Sequence, residues 1–302
     1  MKDRIDFLKK EKNAIILAHY YTLPEVQDIA DFVGDSLALS RQAAATDADI
    51  ILFAGVHFMA ETAKILSPNK KVLIPDLEAG CSLANSCPAS ELGFFLNKYP
   101  GYKVLSYINC SAKVKTLSDI IVTSGNALKI VNALPKNEKI VFTPDRNLGA
   151  YVNKETGRQM VLWDGACHVH DQLTADEVFR MKTEHPKAKV LAHPECKATV
   201  LALADFIGST AAMLNFTKNE NSSEFIVATE TGILHEMQKQ NPTKKFFVVN
   251  NPVTCACNNC EYMKLNTIEK IYNALLTESP EIILEKDVIE KAFVPIQRML
   301  EY

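Results

Sequence analysis

A threefold internal repeat limits most strongly what this chain can fold into. An apolar run at residues 14–18 ends in His19-Tyr20-Tyr21, a second at 103–107 ends in Tyr107-Ile108-Asn109-Cys110, and a third at 189–192 ends in His193-Pro194-Glu195-Cys196. From 19 to 107 is 88 residues and from 107 to 193 is 86. Hydroxyl-bearing junctions keep the same register, since Ser36 to Ser124 is 88 and Ser124 to Thr210 is 86. Cys81 to Cys167 is again 86, while Cys167 to Cys260 is 93, with extra thiols at Cys255 and Cys257 in the intervening loop. Solenoid units run roughly 20 to 50 residues. A longer period means that each copy is a small domain.

Within a copy the apolar runs are short and unbroken, the pattern of strands buried on both faces of a parallel sheet. In the first copy they fall at 14–18, 49–55 and 71–74. Helical patterns lie between them: one opening at Thr22-Leu23-Pro24-Glu25, read as a capping box, and running to about Phe32, then 37–46 and 58–66. The expected fold class is therefore α/β. Three similar three-layer α/β domains would stand in a pseudo-threefold triangular arrangement, with right-handed parallel connections. The expected units are 1–85, 86–170 and 171–262, with a helical segment at 263–302 packed on the outside. Ligands of open α/β sheets bind at the carboxyl ends of strands, and the repeated polar residues fall there.

Composition narrows the partners. With 33 Lys+Arg against 36 Asp+Glu the net charge is −3, so no excess of basic charge points to nucleic acid. The N-terminal stretch reads as a charged amphipathic helix rather than a signal peptide, and no run reaches membrane length. A cytoplasmic location with small-molecule partners is expected. Eight cysteines in such a chain point to metal or catalytic thiols rather than a disulfide framework.

The chemistry follows from residue type. Ser36, Ser124 and Thr210 each stand where a helix opens, and are either ordinary caps or anion-binding hydroxyls beside unpaired N–H groups. Three in register, near His19, Tyr107, Asn109 and His193, favour a polyanionic small molecule. Glu195 is a candidate general acid/base. Tyr21 and Tyr107 are proton donors or walls of the cavity. His57 is as readily structural as functional, and His168 and His170, flanking Cys167, could ligate metal but have no repeat partners. Structural zinc takes four ligands, usually paired closely in sequence, so one cysteine per unit makes a poor zinc site. Three thiolates suit a cubane 4Fe-4S cluster with one iron left open, a Lewis acid for lyase or condensation chemistry with dehydration.

At this point the chain resembles the quinolinate synthase family, the A-type enzymes of NAD biosynthesis, over essentially its whole length. The resemblance is carried by Leu17-Ala18-His19-Tyr20-Tyr21, Gly34-Asp35-Ser36, Gly55-Val56-His57-Phe58-Met59, Tyr107-Ile108-Asn109, Thr123-Ser124, His193-Pro194-Glu195-Cys196, Gly208-Ser209-Thr210 and Met263-Lys264-Leu265-Asn266. It implies three α/β domains around a central iron-sulfur cluster. The implied activity is that of a condensing transferase joining iminoaspartate and dihydroxyacetone phosphate to quinolinate, with loss of phosphate and two waters. L-aspartate oxidase or aspartate dehydrogenase is the implied source of iminoaspartate. Carried over by motif, the metal ligands are Cys81, Cys167 and Cys260, and the catalytic residues Glu195, Tyr21 and His193. The substrate-binding set is His19, Ser36, Tyr107, Asn109, Ser124, His193, Glu195, Ser209 and Thr210. The chain departs from the family in its last loop: Thr254 stands where some members have the first cysteine of C-x-x-C-x-x-C, and Cys255 and Cys257 are left without a role. An aconitase-like hydro-lyase and a non-catalytic iron-sulfur sensor are the competing readings.

Overall fold

The computed structural model describes residues 1–249 and 258–302. Among these residues the strands form three parallel sheets of four. The first contains β1 (Ala14–His19), β2 (Phe32–Gly34), β3 (Ile50–Ala54) and β4 (Lys71–Leu73), in the order β2-β1-β3-β4. The second contains β5 (Lys103–Tyr107), β6 (Ile120–Val122), β7 (Ile140–Thr143) and β8 (Val161–Leu162), ordered β6-β5-β7-β8. The third contains β9 (Lys189–Ala192), β10 (Phe206–Ile207), β11 (Glu224–Ala228) and β12 (Lys245–Val248), ordered β10-β9-β11-β12. One topology is used three times.

Burial on both faces explains the unbroken apolar runs. Leu17, Ile51, Phe53 and Val72 point into one apolar cluster, while Ile16, Ala18, Leu52 and Leu73 point into another on the opposite face. The third sheet divides in the same way, with Leu191, Phe225 and Val227 on one side and Val190, Ala192 and Ile226 on the other. The first cluster draws on all three units and forms their common core.

Each copy also repeats one polar device. The Asp31 carboxylate accepts the Ile16 N–H at 2.8 Å, Asp119 accepts Val104 N–H at 2.7 Å and Asp205 accepts Val190 N–H at 2.8 Å. The Asp31, Asp119 and Asp205 N–H groups in turn donate to the carbonyls of Ile16, Val104 and Val190. This reciprocal clasp starts β2, β6 and β10 and corrects one expectation. The helix that follows β1 covers only Pro24–Ile29, because Asp31 turns the chain into β2 where the sequence reading continued the helix to Phe32. The expected capping box is also absent: the cap position is Leu23, and the Thr22 hydroxyl donates instead to the carbonyl of His19 at 2.9 Å.

The last residues form helices Ile268–Thr277 and Lys286–Leu300. The longer one lies against β6 and against helices Ala112–Lys115 and His57–Leu66, spanning the first two units. Its Met299 carbonyl accepts from Asn126 Nδ2 at 3.3 Å.

Candidate active site

The carboxyl ends of β1, β5 and β9 open onto one cavity, lined by residues of all three units. His19, Tyr107 and His193 end or directly follow those strands, and all three side chains are buried. Tyr21, Asn109 and Glu195 lie two residues further on and line the same space. Asn109 Oδ1 and Glu195 Oε1 are buried without a partner among the described residues. Such atoms are costly to leave unpaired and fit a site whose polar ligand completes them.

Ser36, Ser124 and Thr210 also line the cavity, and none is a helix cap. The caps are their neighbours: Asp35 accepts Ala38 N–H at 3.1 Å and Ser209 accepts Ala212 N–H at 3.3 Å. In unit 2 the helix Ala127–Ala133 is preceded by Asn126, whose side chain folds back onto Thr123 N–H at 2.7 Å. The three hydroxyls are thereby released from capping. Ser124 Oγ lies 3.2 Å from His193 Nε2, and Thr210 Oγ1 lies 2.9 Å from the Tyr21 hydroxyl. Ser209 does not line the cavity; its hydroxyl caps the helix and reaches Asp35 Oδ2 at 3.3 Å.

A buried polar line crosses the site. Tyr21 OH lies 2.8 Å from Thr229 Oγ1, which lies 2.8 Å from His170 Nε2, while His170 Nδ1 lies 3.1 Å from Glu195 Oε2. His193 Nδ1 faces the same carboxylate oxygen at 3.1 Å. Burial works against a charge on Glu195, but His170 and His193 overcome it and hold its carboxyl well below the usual range. An ionised carboxylate only accepts, so His170 Nδ1 carries the proton between them. Burial, with His193 close by, pushes His19 down to about 3, leaving it neutral. Its Nδ1 accepts Tyr21 N–H at 3.1 Å, so the ring proton sits on Nε2. Burial also raises Tyr21 and Tyr107 well above the ordinary phenol, keeping both protonated.

Cys81, Cys167 and Cys260 line the cavity, and each immediately precedes a four-residue helix: Ser82–Asn85, His168–Asp171 and Glu261–Lys264. Backbone N–H groups of these helices favour the thiolate form, those of Leu83 and Ala84 for Cys81, of His170 for Cys167, and of Tyr262 and Met263 for Cys260. Burial, together with neighbouring Cys260, raises Cys81 to about 12, and burial raises Cys260 to about 11. Cys167 is raised by burial, then Glu195, then Cys81. Thiolates here need a cation to offset their burial, which fits an iron-sulfur cluster. Cys167, His170 and Glu195 also bring ligand atoms within 4.8 Å of one another, although His170 and Glu195 already partner each other. Cys87, Cys110 and Cys196 are buried away from the cavity, and Cys255 and Cys257 lie outside the described residues.

Two residues of the polar line stood outside the site set read from the sequence, where His170 was weighed only as a metal ligand. His170 stands three residues after Cys167, one helical turn on, which is a usable signal. Thr229 follows β11 and had none.

A profile of the family described as Quinolinate synthetase A protein matches residues 3–301. A protein of Synechocystis sp. named quinolinate synthase is 57% identical over 296 residues, covering 98% of this chain and 93% of that protein. The protein of the same name from Prochlorococcus marinus is 56% identical over 300 residues, 99% of this chain and 90% of its own. The chain belongs to the quinolinate synthase family. As in the reading of the sequence, this member of the quinolinate synthase family is an α/β protein. Among the described residues no helix is long and apolar enough to cross a membrane.

Proposed function

We propose that the chain is a quinolinate synthase that condenses iminoaspartate with dihydroxyacetone phosphate in this cavity, releasing phosphate and two waters. The observation that carries the proposal is the convergence of three cysteines, one from each unit, with a buried Glu195–His170 pair on one site. In this reading Cys81, Cys167 and Cys260 hold a 4Fe-4S cluster, which when bound supplies an open iron acting as a Lewis acid toward a carboxylate or hydroxyl. Ser36, Ser124 and Thr210 bind the carboxylate and phosphate groups, with their hydroxyls free of capping. Glu195, ionised at rest, takes a proton from substrate and returns it to a departing hydroxyl. Tyr21 and neutral His19 donate hydrogen bonds to developing oxyanions, and His193 orients Glu195 against Ser124.

The units 1–85, 86–170, 171–262 and 263–302 belong to the same proposal, supported by each sheet falling within one stretch. So does a cytoplasmic location, with L-aspartate oxidase or aspartate dehydrogenase supplying iminoaspartate. The test is anaerobic purification followed by assay with both substrates. Quinolinate formed together with stoichiometric phosphate supports the proposal. Dehydration of a hydroxy acid without consumption of triose phosphate would replace it with a hydro-lyase.

A further inference from the structure

Lys115 is the unusual buried group of unit 2. Its side chain is fully buried, yet among the described residues no carboxylate lies within ion-pair distance. Burying an unpaired ammonium is expensive, so its contacts should explain its presence. Its Nζ donates to the carbonyl of Ile108 at 3.2 Å and to that of Cys110, and it lies 5.5 Å from the centre of the Phe58 ring. The two carbonyls flank Asn109, on the turn that carries Tyr107 and Asn109 into the cavity.

The repeat supplies the comparison. Gln27 stands 88 residues before Lys115, and Tyr20 and Thr22 stand 88 residues before Ile108 and Cys110. Gln27 Nε2 donates to the carbonyls of Tyr20 and Thr22, each at 2.9 Å, and to that of Gly232 at 3.0 Å. Its Oε1 is buried without a partner among the described residues, so the amide is committed to its donor side. A neutral amide and a charged amine thus clasp the same pair of carbonyls on equivalent turns. In unit 3 the equivalent position is Leu201, and the turn is held from outside by Asn147 Nδ2, 3.1 Å from the Glu195 carbonyl.

We infer that Lys115 and Gln27 are positioning residues for the reaction, each clamping the turn after a first strand so that Tyr107-Asn109 and His19-Tyr21 reach the substrate. The shared requirement is donors at a fixed point rather than charge. This rests on the cavity being the reaction site. A parent protein that makes no quinolinate would remove that reading, whereas an active parent indifferent to these changes would remove only the clamp.

The experiment compares Lys115→Met, Lys115→Gln and Gln27→Leu, purified anaerobically and assayed for iron content, kcat and KM. Lys115→Met and Gln27→Leu should keep parental iron and lose on the order of tenfold to a hundredfold in kcat/KM, as displaced binding groups do. The Lys115→Met loss should appear mainly in KM. Lys115→Gln, which imports the solution of unit 1, should stay within about threefold of the parent, since the donors are retained. If Lys115→Met does not fold, Lys115→Gln and Gln27→Leu decide the matter on the same readouts. Parental kcat/KM in Lys115→Met or Gln27→Leu, or a collapse in Lys115→Gln, overturns the inference.

Discussion

His170 holds Glu195 by a single contact, Nδ1 to Oε2 at 3.1 Å, with the two side chains only 2% and 3% exposed. The other face of the imidazole is fixed by Thr229 at 2.8 Å. Glu195 is therefore an oriented anion, with its second oxygen unpartnered among the described residues at the cavity, as the proposed role of proton acceptor requires.

Glu195→Gln preserves shape and a hydrogen-bond acceptor but removes the base. Turnover should fall by about 10²- to 10⁴-fold, the usual contribution of a positioned acid/base group. KM should change little. Single-turnover quench experiments check this, and product formation at the parental rate would demote Glu195 to a binding role.

The hydroxyls freed from capping give a different signature. Ser124→Ala and Thr210→Ala each delete a hydrogen bond to a charged group, worth roughly 1.5 to 3 kcal/mol. Substrate affinity should weaken by about tenfold to a hundredfold at that cost, with iron content unchanged. Since Asp35 caps its helix independently, Ser36→Ala should leave thermal stability at the parental value, whereas Thr210→Ala also removes the buried contact to the Tyr21 hydroxyl and should cost about 0.5 to 1.5 kcal/mol. Steady-state kinetics beside calorimetry separates the two effects; equal kinetics in Ser124→Ala and Thr210→Ala would refute the assignment.

The aspartate clasps make a prediction about stability alone. Asp31→Ala, Asp119→Ala and Asp205→Ala each leave a strand N–H without its acceptor, at about 1 to 3 kcal/mol apiece. Denaturant melts should show losses of that size in all three. A null result in any one of them would mean that water replaces the carboxylate there.

Much of this was legible because the repeat aligned positions that no single stretch could interpret. Strand ends His19, Tyr107 and His193 were read from register, and so were Cys81 and Cys167, whereas Cys260, 93 residues further on, came from the family motif. What stayed hidden depended on side-chain direction. A sequence shows Asp35-Ser36 and Ser209-Thr210 as equal candidates to cap a helix, and only backbone geometry decides which member faces the cavity. Asp31 looked like a residue just inside a continuing helix because its partner, Ile16 N–H, is fifteen residues away. Thr229 joins Tyr21 to His170 across units, a contact with no local pattern to reveal it.

The cysteines give the most discriminating test, since a ligand and a buried bystander respond differently to the same change. Cys81, Cys167 and Cys260 line the cavity and share a position before a short helix. Each replaced by alanine should abolish the cluster, because two remaining thiolates cannot hold a cubane across three units. Cys87, 3.3 Å from the Thr143 hydroxyl, and Cys196, 3.4 Å from the Ala228 carbonyl, are packing thiols with their own partners. Cys87→Ala, Cys110→Ala and Cys196→Ala should keep full iron and sulfide, with stability losses of about 1 kcal/mol, as for other small core truncations. Cys255→Ala and Cys257→Ala should keep the cluster as well, since Cys260 already completes the set. Chelation of the iron should abolish activity in the parent without unfolding the sheets, whose cores are built without it. Anaerobic iron and sulfide analysis with absorption spectra reads all eight variants, and a loaded Cys260→Ala beside a clusterless Cys257→Ala would move the third ligand to Cys257.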